Sequence, residues 1–380
     1  MNVDDLIEQG NQHRAKNQPA QALACYAQAF VEDFNSAAAW NNYGNVIREM
    51  GYPDRARPFL EQAIRIDPKH TVARFNLAVA LLLQGDYEQG WAAYESRWNF
   101  EHLAGTLPAY SEPRWQGEDL KDRTILIIGE QGLGDCIQFV RYMEPLQALG
   151  ARIILQVPDA LISLMQIEGG VTIGFDQPVP DFDVWCPMMS LPAVMKTTLA
   201  TIPRSLSYIS ANAQATAQWN QRLGARQRLR VGVSWSGRQD SWINQHKSVP
   251  FDLVAAMIKQ NPQYQWVNLQ VDATESQSER LADAGCDMYP GTINDMADTA
   301  ALISCLDVVV SVDSAVSHLS AALGRPTWIM LNDYAVDWRW LRDRGDSPWY
   351  PTAKLFRQPR QGDWVSVLDR IQRFLPTFTV

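Results

Sequence analysis

A 34-residue period runs through the first hundred positions and limits what this chain can fold into. Gly10, Gly44 and Ala78 stand 34 apart, as do Ala22, Ala56 and Gly90, and Tyr26, Leu60 and Tyr94. Ala29 and Ala63 continue the series until Arg97 breaks it. A unit of this length is a helix pair that cannot bury its apolar face alone, so copies must stack. Small residues let the paired helices approach, and large ones fill the gaps between pairs. Pro68, directly after Asp67, marks where the second helix of the middle copy stops.

The middle copy is the most complete, with Trp40, Tyr43, Gly44, Ile47, Gly51, Ala56, Leu60, Ala63 and Pro68 in phase. On these residues the segment resembles tetratricopeptide repeats, about three of them over residues 1–98. Stacks of this kind have a concave face. Asn11 and Asn45 share one phase and Asn42 and Asn76 another, with Asn41 beside them. A primary amide both donates and accepts, so such a row suits an extended peptide backbone. The same asparagines could equally be solvated or brace neighbouring helices.

Composition narrows the function. The 380 residues exceed one ordinary core, and 46% hydrophobic with 20% charged residues describes a globular protein. A net charge of −9 excludes a non-specific nucleic-acid binder, which needs a basic face. No apolar run reaches the ~20 residues of a membrane-spanning helix, and the acidic first residues do not read as a signal peptide. Cys25, Cys136, Cys186, Cys286 and Cys305 are scattered and odd in number, which points to a reducing, cytoplasmic setting and to neither a disulfide framework nor a zinc site.

From about Arg123 short β-branched runs alternate with helical stretches, the pattern of parallel sheets with crossover helices. Expected strands are 124–129, 152–157, 171–175 and 183–187 in a first lobe (123–225). A second lobe (226–361) carries 229–235, 265–270, 307–312 and 326–331. Residues 99–122 read as a linker, 213–227 as the inter-lobe junction, and 362–380 as a C-terminal helix. Two such lobes face each other across a cleft, with ligands beyond the carboxyl ends of the strands.

Three strand ends hold the chemistry. The first strand enters Glu130-Gln131-Gly132-Leu133-Gly134-Asp135, where Gly132 and Gly134 permit a tight turn. Asp135 then sits near a helix start, as an N-cap or as a base facing the cleft. No dinucleotide or Walker motif is present. The strand ending at Trp235 leads to Ser236 and Gly237, and a polar loop with Asn244, Lys247 and Ser248 follows. The strand ending at Val312 enters Asp313-Ser314-Ala315-Val316-Ser317-His318. Free N–H groups and the helix dipole there make a seat for a diphosphate. His318 stands one turn in, as an anion contact or as a satisfied buried histidine.

The segments GEQGLGDCIQFVRY, SVDSAVSHLSAALGRP and DWRWLRDRGDSPWYP, together with GDYEQGWAAYESRW and EPRWQGEDL, resemble bacterial repeat-plus-glycosyltransferase proteins related to the heptosyltransferase family. The resemblance implies helical tetratricopeptide repeats followed by an α/β GT-B fold of two Rossmann-like lobes, the first on the acceptor side and the second on the nucleotide-sugar donor side. It implies inverting sugar transfer without a metal or other cofactor. Asp135 takes the position of the catalytic aspartate, and Lys247 that of the lysine on the donor phosphates. Asp313, Ser314, Ala315 and His318 match the donor-site segment, and Trp235, Ser236, Gly237 and Gln270 fall at the donor-side strand ends. Ala315, where the heptosyltransferases often have glycine, counts against ADP-heptose as the donor. Glu130 is the next candidate base. Asp181 and Asp183 form a D-x-D motif that elsewhere binds a metal, but in the acceptor lobe it is not expected to do so. Trp338, Trp340, Trp349 and Tyr350 could stack on a sugar or pack an irregular loop. The expected acceptor is a hydroxyl on a protein or peptide presented by the repeats. Rivals are a lipopolysaccharide-type transferase with docking repeats and a catalytically degenerate scaffold.

Overall fold

A computed structural model describes residues 2–100, 109–237 and 246–378. The chain divides into two compact units. The first is Met1–Ser111 with Met195–Ile202 and Asp333–Arg344, and the second holds the remainder.

In the first unit the repeats form α1 (Val3–Ala15), α2 (Pro19–Glu32), α3 (Ala37–Glu49), α4 (Pro53–Ile66), α5 (Thr71–Gln84) and α6 (Tyr87–Tyr94). Pro19 and Pro53 open α2 and α4, where a missing N–H costs nothing. The 34-residue phases have a direct cause. A Cβ at Gly44 would stand 2.9 Å from Leu60 Cγ, and one at Gly10 would meet the Tyr26 ring. In the third copy Arg97 replaces the phase alanine. It is buried against the rings of Tyr94 and Trp98 and paired with Glu95 at 2.6 Å, so α6 ends early in a 3-10 turn.

The asparagines brace the helices. Asn76 donates to Asn41 (2.9 Å), Asn41 to Asn42 (2.9 Å), and Asn42 to Asn11 (3.2 Å), which also accepts from the Tyr26 hydroxyl. Asn45 serves Glu49 and Arg48. The bracing alternative for these residues is therefore the one the fold displays. The first-unit segment Asp333–Arg344 packs on the repeats themselves. Tyr334 donates its hydroxyl to Glu49 Oε2 (2.7 Å), and Ala335 N–H donates to the Glu49 carbonyl (2.7 Å). Trp338 lies edge-on to Trp91 at 5.0 Å, and residues 338–340 pack on α5. The repeats are thus not a self-contained 1–98 module, because buried aromatics at Trp338 and Trp340 complete their core. The 34-residue period carries no information about a segment some 240 positions later, so this partner was not legible from the repeat.

The second unit contains two all-parallel sheets. The first has β1 (Thr124–Ile128), β2 (Arg152–Gln156), β3 (Val171–Ile173) and β4 (Val184–Pro187) in the order β3-β2-β1-β4. The second has β5 (Arg230–Ser234), β6 (Gln265–Asn268), β7 (Cys286–Asp287), β8 (Val308–Val312), β9 (Thr327–Leu331) and β10 (Ala353–Arg357) in the order β10-β9-β8-β5-β6-β7. Central β1 and β8 are nearly continuous aliphatic runs, with only Thr124 and Ser311 polar, because both of their faces are covered. Helices α7 (Leu133–Phe139), α8 (Met143–Ala148), α9 (Ala213–Leu223), α10 (Phe251–Gln260), α11 (Glu275–Asp283), α12 (Met296–Ile303), α13 (Ala315–Ala322) and α14 (Trp364–Phe374) join or flank the strands. All eight expected strands are present. β7, of two residues, and β10 were not expected. The end of the expected linker joins this unit, with Trp115 buried and its N–H donated to the Trp185 carbonyl.

Glu49 holds the first unit together. Its buried carboxylate pairs with Arg14 and accepts from Asn45 and Tyr334. Burial alone would raise its pKa, but the Arg14 bond and the charges of Arg48 and Arg14 carry it below the ordinary 4.5. Its contribution should be complete above about pH 4.5 and vanish as pH falls through the lowered folded value. Replacing Glu49 by Ala should cost about 3–5 kcal/mol by leaving cations unpaired. Urea unfolding at pH 7 and pH 4 tests both statements, and the stability gap between wild type and variant should narrow at the lower pH. Deleting residues 1–98 should yield an aggregating or strongly destabilised protein, since Tyr334, Trp338 and Trp340 lose their cover. A soluble fragment with an unchanged melting curve would contradict this.

Candidate active site

β8 ends in a carboxylate that the fold must compensate. Asp313 follows Val312, and its side chain is only 9% exposed. Lys247 Nζ lies 2.5 Å from Oδ2, and His318 Nε2 lies 3.6 Å from Oδ1. Burial pushes the Asp313 pKa upward, but the Lys247 ammonium and then His318 outweigh it, holding the carboxyl far below the usual carboxylate range. Immediately after it, Ser314 precedes α13. The Ser314 N–H donates to Ser317 Oγ (3.1 Å), and its hydroxyl lies 3.2 Å from Ser311 Oγ. Ala315 opens the helix with the orphan N–H groups that any helix start presents. A cation, a half-exposed helix start and a histidine therefore converge at one strand end.

The neighbouring strand end is built differently from expectation. The Trp235 ring is 3% exposed and packs in the apolar core against Phe251. Its expected donor-side place is corrected to this extent: the side chain lies in the core, and only its backbone shapes the turn. The buried amide of Gln270 is the brace. Its Oε1 accepts from Ser234 Oγ (2.9 Å) and from the N–H groups of Trp235 and Ser236 (both 3.1 Å), while Nε2 donates to Ser236 Oγ (3.1 Å) and to Asp272. Gln270 therefore positions Ser236 and Gly237 rather than reaching out of the turn. Asn244 lies outside the described residues.

In the other sheet β1 turns at Gln131, which adopts a left-handed φ of 62°, and α7 begins. Asp135 occupies the first turn, and its Oδ2 accepts the Gly132 N–H at 2.8 Å. The N-cap expectation is corrected: Gly132 is the N-cap and Asp135 the third helical residue, whose bond back to Gly132 closes the turn and orients the carboxylate. Glu130 Oε1 is engaged by the Met189 N–H at 2.9 Å. Helix α7 packs against α13. A Cβ at Gly134 would stand 2.8 Å from His318 Cδ2, which explains the glycine and sets Asp135 one residue from the contact with His318.

Asp183 Oδ2 accepts the Thr124 N–H (2.6 Å), pinning the start of β1. Among the described residues no group of three or more His, Cys, Asp or Glu could hold a metal ion. Trp338, Trp340, Trp349 and Tyr350 are all buried, so they pack rather than stack on a ligand. Sequence reasoning gave no role to Arg141, which is buried beside this site. A single charge inside the apolar run Phe139, Val140, Tyr142, Met143 was the available signal.

Comparison with known proteins agrees with this architecture. Residues 48–94 match the tetratricopeptide repeat family, and residues 272–329 match glycosyltransferase family 9 (heptosyltransferase), a stretch that contains Asp313 to His318. Protein FlbA of Caulobacter vibrioides is 24% identical over 96% of this chain and 71% of its own length. A glycosyl transferase family 9 structure from Veillonella parvula superposes with a TM-score of 0.51 at 10% identity, covering 69% of this chain and 99% of that one. The Escherichia coli ADP-heptose lipopolysaccharide heptosyltransferase II gives 0.51 at 16% identity, covering 67% and 98%. At these identities the structures show the fold alone, which is GT-B.

Replacing Gly134 by Ala should displace His318 or separate α7 from α13. A loss of roughly 1–3 kcal/mol is expected from overpacking, readable as a lower melting temperature. An unchanged melting temperature would mean that the two helices are not in contact.

Proposed function

We propose that this chain, a glycosyltransferase joining tetratricopeptide repeats to a glycosyltransferase family 9 domain, inverts the sugar it transfers and needs no metal. What supports this is one observation, the placement of Asp135 and of the Lys247–Asp313–His318 cluster on the facing helix starts α7 and α13. In this mechanism Asp135 removes the proton of an acceptor hydroxyl. The oxygen attacks the anomeric carbon on the face opposite the nucleotide. The bond to the leaving phosphate breaks, and its electron pair stays on that phosphate. Lys247, the first N–H groups of α13 and His318 stabilise the growing negative charge, with Ser314, Ser236 and Gly237 lining the seat. Asp313 holds Lys247 and His318 in place. The five cysteines carry no disulfide, which supports a cytoplasmic setting.

For the acceptor we propose a protein hydroxyl, the partner class that a repeat module suggests. One observation favours a sugar on a lipid or polysaccharide instead: the asparagine row is engaged with itself, and Asp333–Arg344 packs on the repeats. Labelled sugar entering protein rather than a lipid-linked fraction would decide between them.

Turnover should persist in excess EDTA, and a strict requirement for Mn²⁺ or Mg²⁺ would overturn the metal-free mechanism. Asp135→Asn keeps a side-chain oxygen that can accept the Gly132 N–H, but cannot take a proton. Its turnover should fall ~10²–10⁴-fold with little change in melting temperature or nucleotide affinity. Near-normal turnover would leave Asp135 with closing the turn as its only role.

A further inference from the structure

We propose that a cavity beside the far end of α7 binds a small hydroxylated carboxylate, of the kind an acidic monosaccharide presents, with Arg141 receiving its charge. The cavity measures about 410 Å³ and lies among residues 140–147, 163–168 and 208–212. That is within the roughly 300–1,000 Å³ usual for small-molecule sites. Asp135 stands in the first turn of α7, whereas the cavity begins at Val140, just past the last residue of that helix. None of its lining residues is among those assigned to the base or the donor seat.

Arg141 is the reason to expect an anion. It is 3% exposed, and no carboxylate among the described residues pairs with it. Its partners are neutral. Nε donates to the Gln138 carbonyl (2.7 Å), Nη1 to the carbonyls of Trp349 (2.6 Å) and Pro203 (3.4 Å), and Nη2 to the Tyr208 hydroxyl (2.7 Å). The guanidinium also lies over the rings of Tyr208 (4.5 Å), Tyr350 (4.8 Å) and Trp349 (5.2 Å). Carbonyls and rings solvate a cation without cancelling its charge, and a buried ion lacking a counter-ion is costly. A guanidinium has five N–H groups. Four acceptors meet them, so one hydrogen on Nη2 has no acceptor among the described residues. Nη2 is the end bonded to Tyr208, and both side chains line the cavity.

The rest of the wall describes the body of the ligand. Val140, Met143, Leu164, Met165 and Ile209 are buried and form an apolar surface suited to the C–H face of a sugar ring. The exposed rim is rich in acceptors. Glu144 and Glu168 carry carboxylates, and Gln147 donates its Nε2 to the Glu168 carbonyl (2.8 Å), leaving Oε1 to accept. Such a rim calls for hydroxyl donors. A phosphate would bring about 1.5–2 negative charges against one cation and would face both glutamates. A single carboxylate matches Arg141, and hydroxyls on the same ring can turn toward the rim.

Ligand-observed saturation-transfer spectra of the full chain, titrated with D-glucuronate and with D-glucose and acetate as controls, test this. Glucuronate should bind saturably. Glucose, which lacks the charge, should bind at least about tenfold more weakly, as the loss of one charge-assisted hydrogen bond implies. Acetate, which lacks the hydroxyls, should also bind more weakly. Arg141→Met should reduce glucuronate to the level of glucose. Ser210→Trp, on the exposed rim, should fill the mouth of the cavity and abolish binding without unfolding the chain. It carries the test should Arg141→Met fail to fold. A wild type without saturable glucuronate binding would overturn the proposal, as would undiminished binding by folded Arg141→Met or by Ser210→Trp. Methyl β-D-glucuronide then separates two sources of the same chemistry. It should bind as well as the free acid if the site takes the end of a glycan, and more weakly if it takes a free sugar acid.

Discussion

The buried carboxylate of Asp313 is the constraint around which the catalytic unit is arranged. A carboxylate that is nine-tenths buried at a strand end is costly unless charged and hydrogen-bonding partners surround it. Lys247 and His318 meet that demand from two separate segments, and the helix carrying His318 is the one that packs on α7. Removing Lys247 would leave the anion with His318 as its charged neighbour among the described residues and without its ammonium, and breaking comparable buried pairs costs about 3–5 kcal/mol. Such an arrangement is a poor way to gain stability. It is a good way to hold a cation and a histidine in fixed positions beside a helix start.

The repeats obey a different logic. Their period arises from close helix approach at Gly10 and Gly44, and their asparagines form a ladder from Asn11 through Asn42 and Asn41 to Asn76. Glu49 ties that ladder's neighbourhood to Tyr334 and Ala335. The segment it holds lies in the chain between β9 and β10, so the repeats brace part of the polypeptide that also threads the catalytic unit.

Much of this was legible in the residues. Period-34 small residues gave the helix pairs, and β-branched runs gave the eight main strands, because both patterns are local. Asp313 and His318 stood out by their position after a strand end and Lys247 by the resemblance; the fold brings the three side chains together. What could not be read was pairing across long sequence separations. Nothing local distinguishes Trp235 as core from Trp235 as ligand contact. Gln270 reads as one more polar residue at a strand end until its amide is seen to accept from Ser234, Trp235 and Ser236. Arg141 and Tyr350 lay inside quoted motifs, yet their meeting depends on the packing of three distant segments. β10 was missed because AKLFR has mixed polarity, as suits a strand at the sheet's edge.

The central claim is that Lys247, held by Asp313 at the start of α13, receives the donor's phosphates. Calorimetric titration with ADP, GDP, UDP and CMP in excess EDTA, on the wild type and on Lys247→Met, tests it most directly. The account predicts that the wild type binds one nucleoside diphosphate without metal. The variant should remain folded and bind it at least about tenfold more weakly, the equivalent of about 1.4 kcal/mol. Equal affinity in a folded Lys247→Met protein, or wild-type binding only when a divalent metal is restored, would contradict the account.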